Sequence, residues 1–200
     1  MILEANRGVF VSVDIETAGP NPSDYALLAI GACLIEDPQR SFYVELKPTS
    51  MNATEEALSV SRFSLEELAE TGMAPQEAMS RFETWLHAEI RPPHTPVMVG
   101  FNAPFDWMFI NDYFHRYLGG NPFGHSAIDI KAFFMGLTGT PWEKTTYRHV
   151  SAHTKQHRAL SHHALHDAQD QARIFKQLLL LRQQDEPPTH LTNDLLEDIQ

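Results

Sequence analysis

A chain of 200 residues, 42% hydrophobic and 20% charged, has the size and composition of one ordinary globular domain. Its formal net charge of −11 argues against a protein that coats nucleic acid by bulk electrostatics, but not against an enzyme whose site brings its own cations. No apolar run approaches a membrane span, MILEANRGVF lacks a signal-peptide pattern, and one cysteine, Cys33, excludes an internal disulfide, so a cytoplasmic, reducing compartment is expected.

In chain order, VFVSVDIET is rich in β-branched residues and predicts a strand at about 9–15. Residues i and i+2 of a strand share a face, so Asp14 and Glu16 lie side by side at its end. Like charges that close repel and lose hydration if buried, so a cation sits between them or one acid stays protonated. After the turn AGPNPSD, the stretches YALLAIGACLIE and SFYVELK predict two further strands joined by DPQR, an antiparallel meander. FSLEELAETG reads as a short helix capped by Ser64 with Glu67 three residues on, and PQEAMSRFETWLHAEI as a longer one opened by Pro75. PVMVG is a short buried strand, NAPFDWMFINDYFHRYLGG a helix ending at Gly119–Gly120, and HSAIDIKAFF a strand running into a helix. The segment 138–160 reads as irregular. The stretch at 161–184 predicts a strong helix with Leu165, Ala168, Ala172, Phe175, Leu178 and Leu179 on one face. The layout is mixed α/β, with a domain over 1–184 and an acidic C-terminal tail over 185–200.

Two more acids stand out. Asp106 lies among aromatic residues just after a buried strand, and Asp167 lies near the start of the last helix, where the helix dipole alone favours an acid.

VDIETAGPNP, GFNAPFD and HHALHDA, in this order and at these separations, resemble the three motifs of the DEDD exonuclease superfamily. The likeness is to the subgroup with a histidine five residues before the last aspartate, which includes ribonuclease T, oligoribonuclease and the proofreading ε subunit of DNA polymerase III. The resemblance implies an α/β, ribonuclease H-like mixed sheet with helices on both faces. It implies a 3′→5′ exonuclease acting on RNA or DNA and releasing nucleoside monophosphates. Asp14, Glu16, Asp106 and Asp167 match the metal ligands of two Mg²⁺ or Mn²⁺ ions, and His162 matches the catalytic histidine. The charges agree, because four carboxylates balance two divalent ions and oxygen-only donors suit hard cations. Two such ions can stabilise both the attacking and the leaving oxygen of a phosphodiester.

Five residues on a continuous helix turn through about 140°. His162 is therefore expected on the loop before the helix that carries Asp167, over the site, where a neutral imidazole can take a proton from the attacking water. The HxALxDA spacing selects His162 over His163 and His166, and over His157, which has no aspartate five residues on. By resemblance, Thr17, the backbone of Ala18, Asn102 and Phe105 are substrate contacts, and Asp129 is a supporting acid rather than a fifth ligand. Phe101 stands where many members carry histidine, and Ala29 where many carry glutamate, departures that bear on substrate preference. Phe105 and Trp107 either stack on bases or pack as core beside Asp106.

His149, His153 and His157 recur at i+4, and Arg148, Lys155 and Arg158 make that segment the most basic patch of an acidic chain. The expected partner is single-stranded nucleic acid with a free 3′ end, with a homodimer as a candidate assembly and no membrane. The alternatives are a catalytically inactive nucleic-acid-binding module of the same fold, and an unrelated metallohydrolase built on the histidines.

Overall fold

The computed structural model describes residues 7–156 and 161–185. The predicted meander is present as β1 (Gly8–Thr17), β2 (Leu27–Leu34) and β3 (Ser41–Glu45), antiparallel throughout. β4 (Thr95–Gly100) pairs parallel to the other side of β1, and β5 (Ala127–Asp129) pairs parallel to β4, giving the order β3-β2-β1-β4-β5. The strand that carries Asp14 and Glu16 is thus the middle of a mixed sheet.

Alternation along β1 sends its two sets of side chains to two different layers. Val11, Val13 and Ile15 join Ile30, Ala32 and Leu34 of β2 in a core covered by α3 (Pro75–Glu89) and α4 (Ala103–Leu118), with Phe82, Phe109, Tyr113 and Phe114 fully buried. On the opposite face Cys33 and Val99 pack under α5 (Ile130–Thr138), α6 (Tyr147–His153) and α7 (Ala164–Asp185), through Phe134, Val150, Ala172, Phe175 and Leu178. A smaller cluster of Ala18, Ala26, Leu28, Leu65 and Leu68 lies beside α1 (Glu55–Ser61) and α2 (Leu65–Thr71). Among the described residues no helix is long and apolar enough to cross a membrane.

One small residue of β2, Gly31, decides how close α7 comes to the sheet. Gly31 pairs with Asp14, and Ala29 pairs with Glu16. A Cβ on Gly31 would sit 2.2 Å from the carbonyl carbon of Ala164 and the nitrogen of Leu165. The first turn of α7 therefore lies directly on the strand, which brings Asp167 alongside β1.

Local chemistry sets the other helix starts. Ser64 accepts a hydrogen bond from the Glu67 N–H at 3.2 Å, as its capping pattern predicts. Asp129 acts twice: Oδ1 accepts from the Ala132 N–H and Oδ2 from the Ala103 N–H, each at 2.7 Å, so one acid caps α5 and holds the first residue of α4.

The segment read as irregular contains a short 3-10 turn, Trp142–Lys144, and α6. The short helix α1 was also unanticipated. It is started by Thr54, whose hydroxyl accepts from the Ala57 N–H and whose own N–H donates to the Ala18 carbonyl. His157, Arg158 and the tail beyond 185 lie outside the described residues.

Candidate active site

The end of β1, the start of α4, α1, α6 and the loop before α7 enclose a cleft of about 500 Å³. Asp14 and Glu16 enter it from β1 and Asp167 from the first turn of α7. Each offers a carboxylate oxygen, and these atoms lie within 4.8 Å of one another, the one such group of metal-type side chains among the described residues. Asp106, in the first turn of α4, is 4% exposed, and its Oδ1 accepts from the Ile15 N–H at 3.2 Å. It adjoins the trio rather than lining the cleft, and its charge reaches Asp14.

The electrostatics are those of acids lacking a counter-charge. Burial, then Asp106, Glu16 and Asp167, hold the Asp14 carboxyl well above the usual carboxylate range, against the opposing pull of a hydrogen bond from Gln171. Burial and then Asp167 push Glu16 up to about 7. Burial likewise raises Asp106, although backbone N–H groups oppose it. Among the described residues no lysine or arginine lines the cleft. A set of oxygen donors that repel one another and find no cationic side chain fits hard divalent cations such as Mg²⁺ or Mn²⁺.

Asp167 also shapes the loop before it. Its Oδ1 accepts from the Ser161 N–H at 2.8 Å and the Ser161 hydroxyl at 3.0 Å, and its Oδ2 from the His162 N–H at 2.9 Å. These bonds hold His162 at φ 55°, a left-handed conformation that costs a non-glycine residue about 1–2 kcal/mol. His162 is exposed and lines the cleft. Its neighbours are engaged elsewhere, since the His163 ring stacks between Tyr43 at 4.7 Å and His166 at 4.3 Å.

The remaining sequence candidates separate. Thr17 and Phe105 line the cleft, Thr17 with its hydroxyl donating to the Gly19 carbonyl at 2.9 Å. Ala18 is fully buried, with its N–H donated to the Ala26 carbonyl and its own carbonyl accepting from Thr54, so it reaches the site only through its neighbours. Asn102 is exposed in a left-handed conformation just before α4 and does not line the cleft; Trp107 packs against the core. His149 and His153 do fall on one helix, but the His149 ring bonds to the Thr146 hydroxyl at 2.7 Å and His153 packs edge-on to Phe134.

Several lining residues carry no sequence signal. Thr54 caps α1, and Glu56, Ala57 and Val60 come from within it. Tyr147, at the start of α6, packs edge-on to Phe101 at 5.3 Å, and its buried hydroxyl has no partner among the described residues. Burial, then Asp170, Asp167 and Asp14, push that phenol up to about 12. Gln171 is 1% exposed and bonds to Asp14. A buried amide one turn after Asp167, on the face that carries Ala168, Ala172 and Phe175, was the available clue.

Comparison with known proteins places this geometry. The model of the 3′-5′ exoribonuclease Rv2179c-like domain matches residues 9–179. A curated relative from Escherichia coli, the 3′-5′ DNA exonuclease Cap18, is 42% identical over 174 residues, 87% of this chain and 93% of its own length. Among solved structures, the nuclease domain of 3′hExo, a DEDDh family member bound to rAMP, superposes with a TM-score of 0.70 at 13% identity, covering 86% of this chain and 91% of that one. Exonuclease I of E. coli, in complex with a dT13 oligonucleotide, gives a TM-score of 0.64 at 16% identity over 86% of this chain and 41% of its own. These two likenesses concern the ribonuclease H-like fold, whereas the sequence matches extend along nearly the whole chain. The chain belongs to the Rv2179c-like 3′-5′ exoribonuclease domain family and is a 3′-5′ exonuclease.

Proposed function

We propose that this exonuclease removes nucleotides one at a time from the 3′ end of single-stranded RNA or DNA by two-metal-ion hydrolysis. The observation that carries the proposal is the cluster of Asp14, Glu16 and Asp167, with Asp106 behind it, in a cleft lined by no lysine or arginine among the described residues. Asp14, Glu16, Asp106 and Asp167 would hold the ions. Two bound divalent cations would supply charge stabilisation at the attacking and leaving oxygens and a more acidic water.

The chain's own residues do the rest. An imidazole nitrogen of His162 takes a proton from the attacking water. The water oxygen forms a bond to phosphorus, the bond from phosphorus to the 3′ oxygen of the preceding nucleotide breaks, and that oxygen takes a proton from solvent. The products are a nucleoside 5′-monophosphate and a strand one residue shorter. Thr17 and Phe105 contact the terminal nucleotide from the cleft wall. Exposed Arg148 and Lys155, at and just beyond α6, meet the backbone of the incoming strand.

The family's name points to RNA and that of the curated relative to DNA. Equimolar competition between labelled RNA and DNA of one sequence, with chromatography of the products, ranks the sugars; release of dinucleotides or of 3′-monophosphates would refute the proposed cleavage. His162→Ala is expected to lower turnover about 10²–10⁴-fold while Mn²⁺ still binds. Turnover at the wild-type level would remove His162 from its role. The lone, buried Cys33 supports a reducing, cytoplasmic setting, and light scattering tests the homodimer.

A further inference from the structure

Gln171 hydrogen-bonds to two other parts of the chain, the end of β1 and the residue that follows β4. Its Nε2 donates to Asp14 Oδ1 at 2.6 Å, and its Oε1 accepts from the Phe101 backbone N–H at 3.0 Å. The direction of the amide is settled by chemistry. A backbone N–H can only donate, so the side-chain oxygen faces Phe101 and the NH₂ faces Asp14. Gln171 lies four residues after Asp167, hence on the same face of α7 one turn on, and it lines the cleft while 1% exposed. No other side-chain hydrogen bond to the Asp14 carboxylate occurs among the described residues.

We infer that Gln171 is the positioning residue for Asp14. It engages Oδ1, leaves the other carboxylate oxygen to the ions, and fixes the carboxylate relative to the first turn of α7 and the end of β4. The inference rests on the proposed metal-dependent reaction. Partners of this kind typically change metal affinity or activity 10–100-fold when removed, because the ligand loses its orientation. A neutral amide suits the place, since it offers a donor without adding charge to a crowded group of acids.

Two variants separate positioning from simple packing. Gln171→Met loses both bonds. Gln171→Glu keeps an acceptor for the Phe101 N–H and loses the donor to Asp14. Positioning predicts turnover reduced about 10–100-fold in both variants with KM for the oligonucleotide changed far less, and a Mn²⁺ dissociation constant raised roughly 10-fold in Gln171→Met by calorimetry. Hydrogen exchange without metal should show the Phe101 N–H protected in Gln171→Glu and unprotected in Gln171→Met. Wild-type turnover in Gln171→Glu would overturn the inference, reducing Gln171 to a tether for Phe101. Absence of 3′ trimming by the wild-type protein would instead remove the proposed reaction, and calorimetry would then judge Gln171 alone: unchanged Mn²⁺ affinity in Gln171→Met overturns it.

Discussion

In EDTA the melting temperature is expected to fall as the pH rises from about 5 to about 8, and Mg²⁺ or Mn²⁺ to restore it. Asp14, Glu16 and Asp106 all hold their protons more tightly folded than unfolded. The folded state binds more protons than the unfolded chain between the two sets of values, so stability drops as pH climbs through that window. Below the ordinary carboxylate range both states are protonated and the penalty vanishes. For Glu16 the rise from 4.5 to about 7 corresponds to roughly 3 kcal/mol of stability lost above pH 7. Divalent cations that bind only the folded state would, at about 100 times their dissociation constant, return about 2.7 kcal/mol. Glu16→Gln should flatten the slope in EDTA and shrink the response to metal, even though it costs activity. A stability that rises over this pH range in EDTA, with Glu16→Gln no different from wild type, would contradict the electrostatic account.

Gly31→Ala is expected to cost about 2–4 kcal/mol and to reduce activity more than 100-fold, although residue 31 touches no substrate. The added methyl would meet backbone, not a side chain that can turn away, at 2.2 Å from Ala164 and Leu165. The first turn of α7 must lift off β2. Asp167 then leaves Asp14 and Glu16, and with it goes the hydrogen bond that holds His162. Gly136 is the control, because it is helical and a Cβ there meets nothing within 4 Å. Gly136→Ala should leave activity unchanged and add a few tenths to about 1 kcal/mol of stability. Thermal melts and turnover of the two variants, side by side, check both expectations. Wild-type turnover in Gly31→Ala would show that the seat of α7 does not set the site.

The contrast between residues found and missed in the sequence follows from how each is specified. The strand with Asp14 and Glu16, the first turn with Asp106 and the helix start with Asp167 have local signatures: β-branched alternation, an aromatic run after a buried strand, an apolar face at helical spacing. Their order and separation along the chain supplied the family resemblance. The same spacing argument put His162 on the loop before α7, where it lies. α1 escaped because EEALSVS is about two turns with little apolar period, and it is secured by Thr54 bonding to Ala18, 36 positions away. α6 escaped for a similar reason, since in YRHVSAH the buried residues are Val150 and Ser151. Gln171 is a common residue in any helix, and its role depends on partners at positions 14 and 101 that only the folded sheet brings together. Gly31 looked like an ordinary small residue of a strand. Its function is to let another backbone approach, a fact about α7 rather than about β2. Ala18 shows the converse: matching a motif position, it lies under the site with its backbone groups already bonded.

The most direct measurement incubates 5′-labelled single-stranded RNA and DNA oligonucleotides with the protein in Mg²⁺, in Mn²⁺ and in EDTA, beside Asp14→Ala. The carboxylate account predicts a ladder shortening from the 3′ end with either ion, abolished by EDTA and reduced at least 10³-fold by the substitution. Undiminished trimming by Asp14→Ala, or trimming that persists in EDTA, would contradict it.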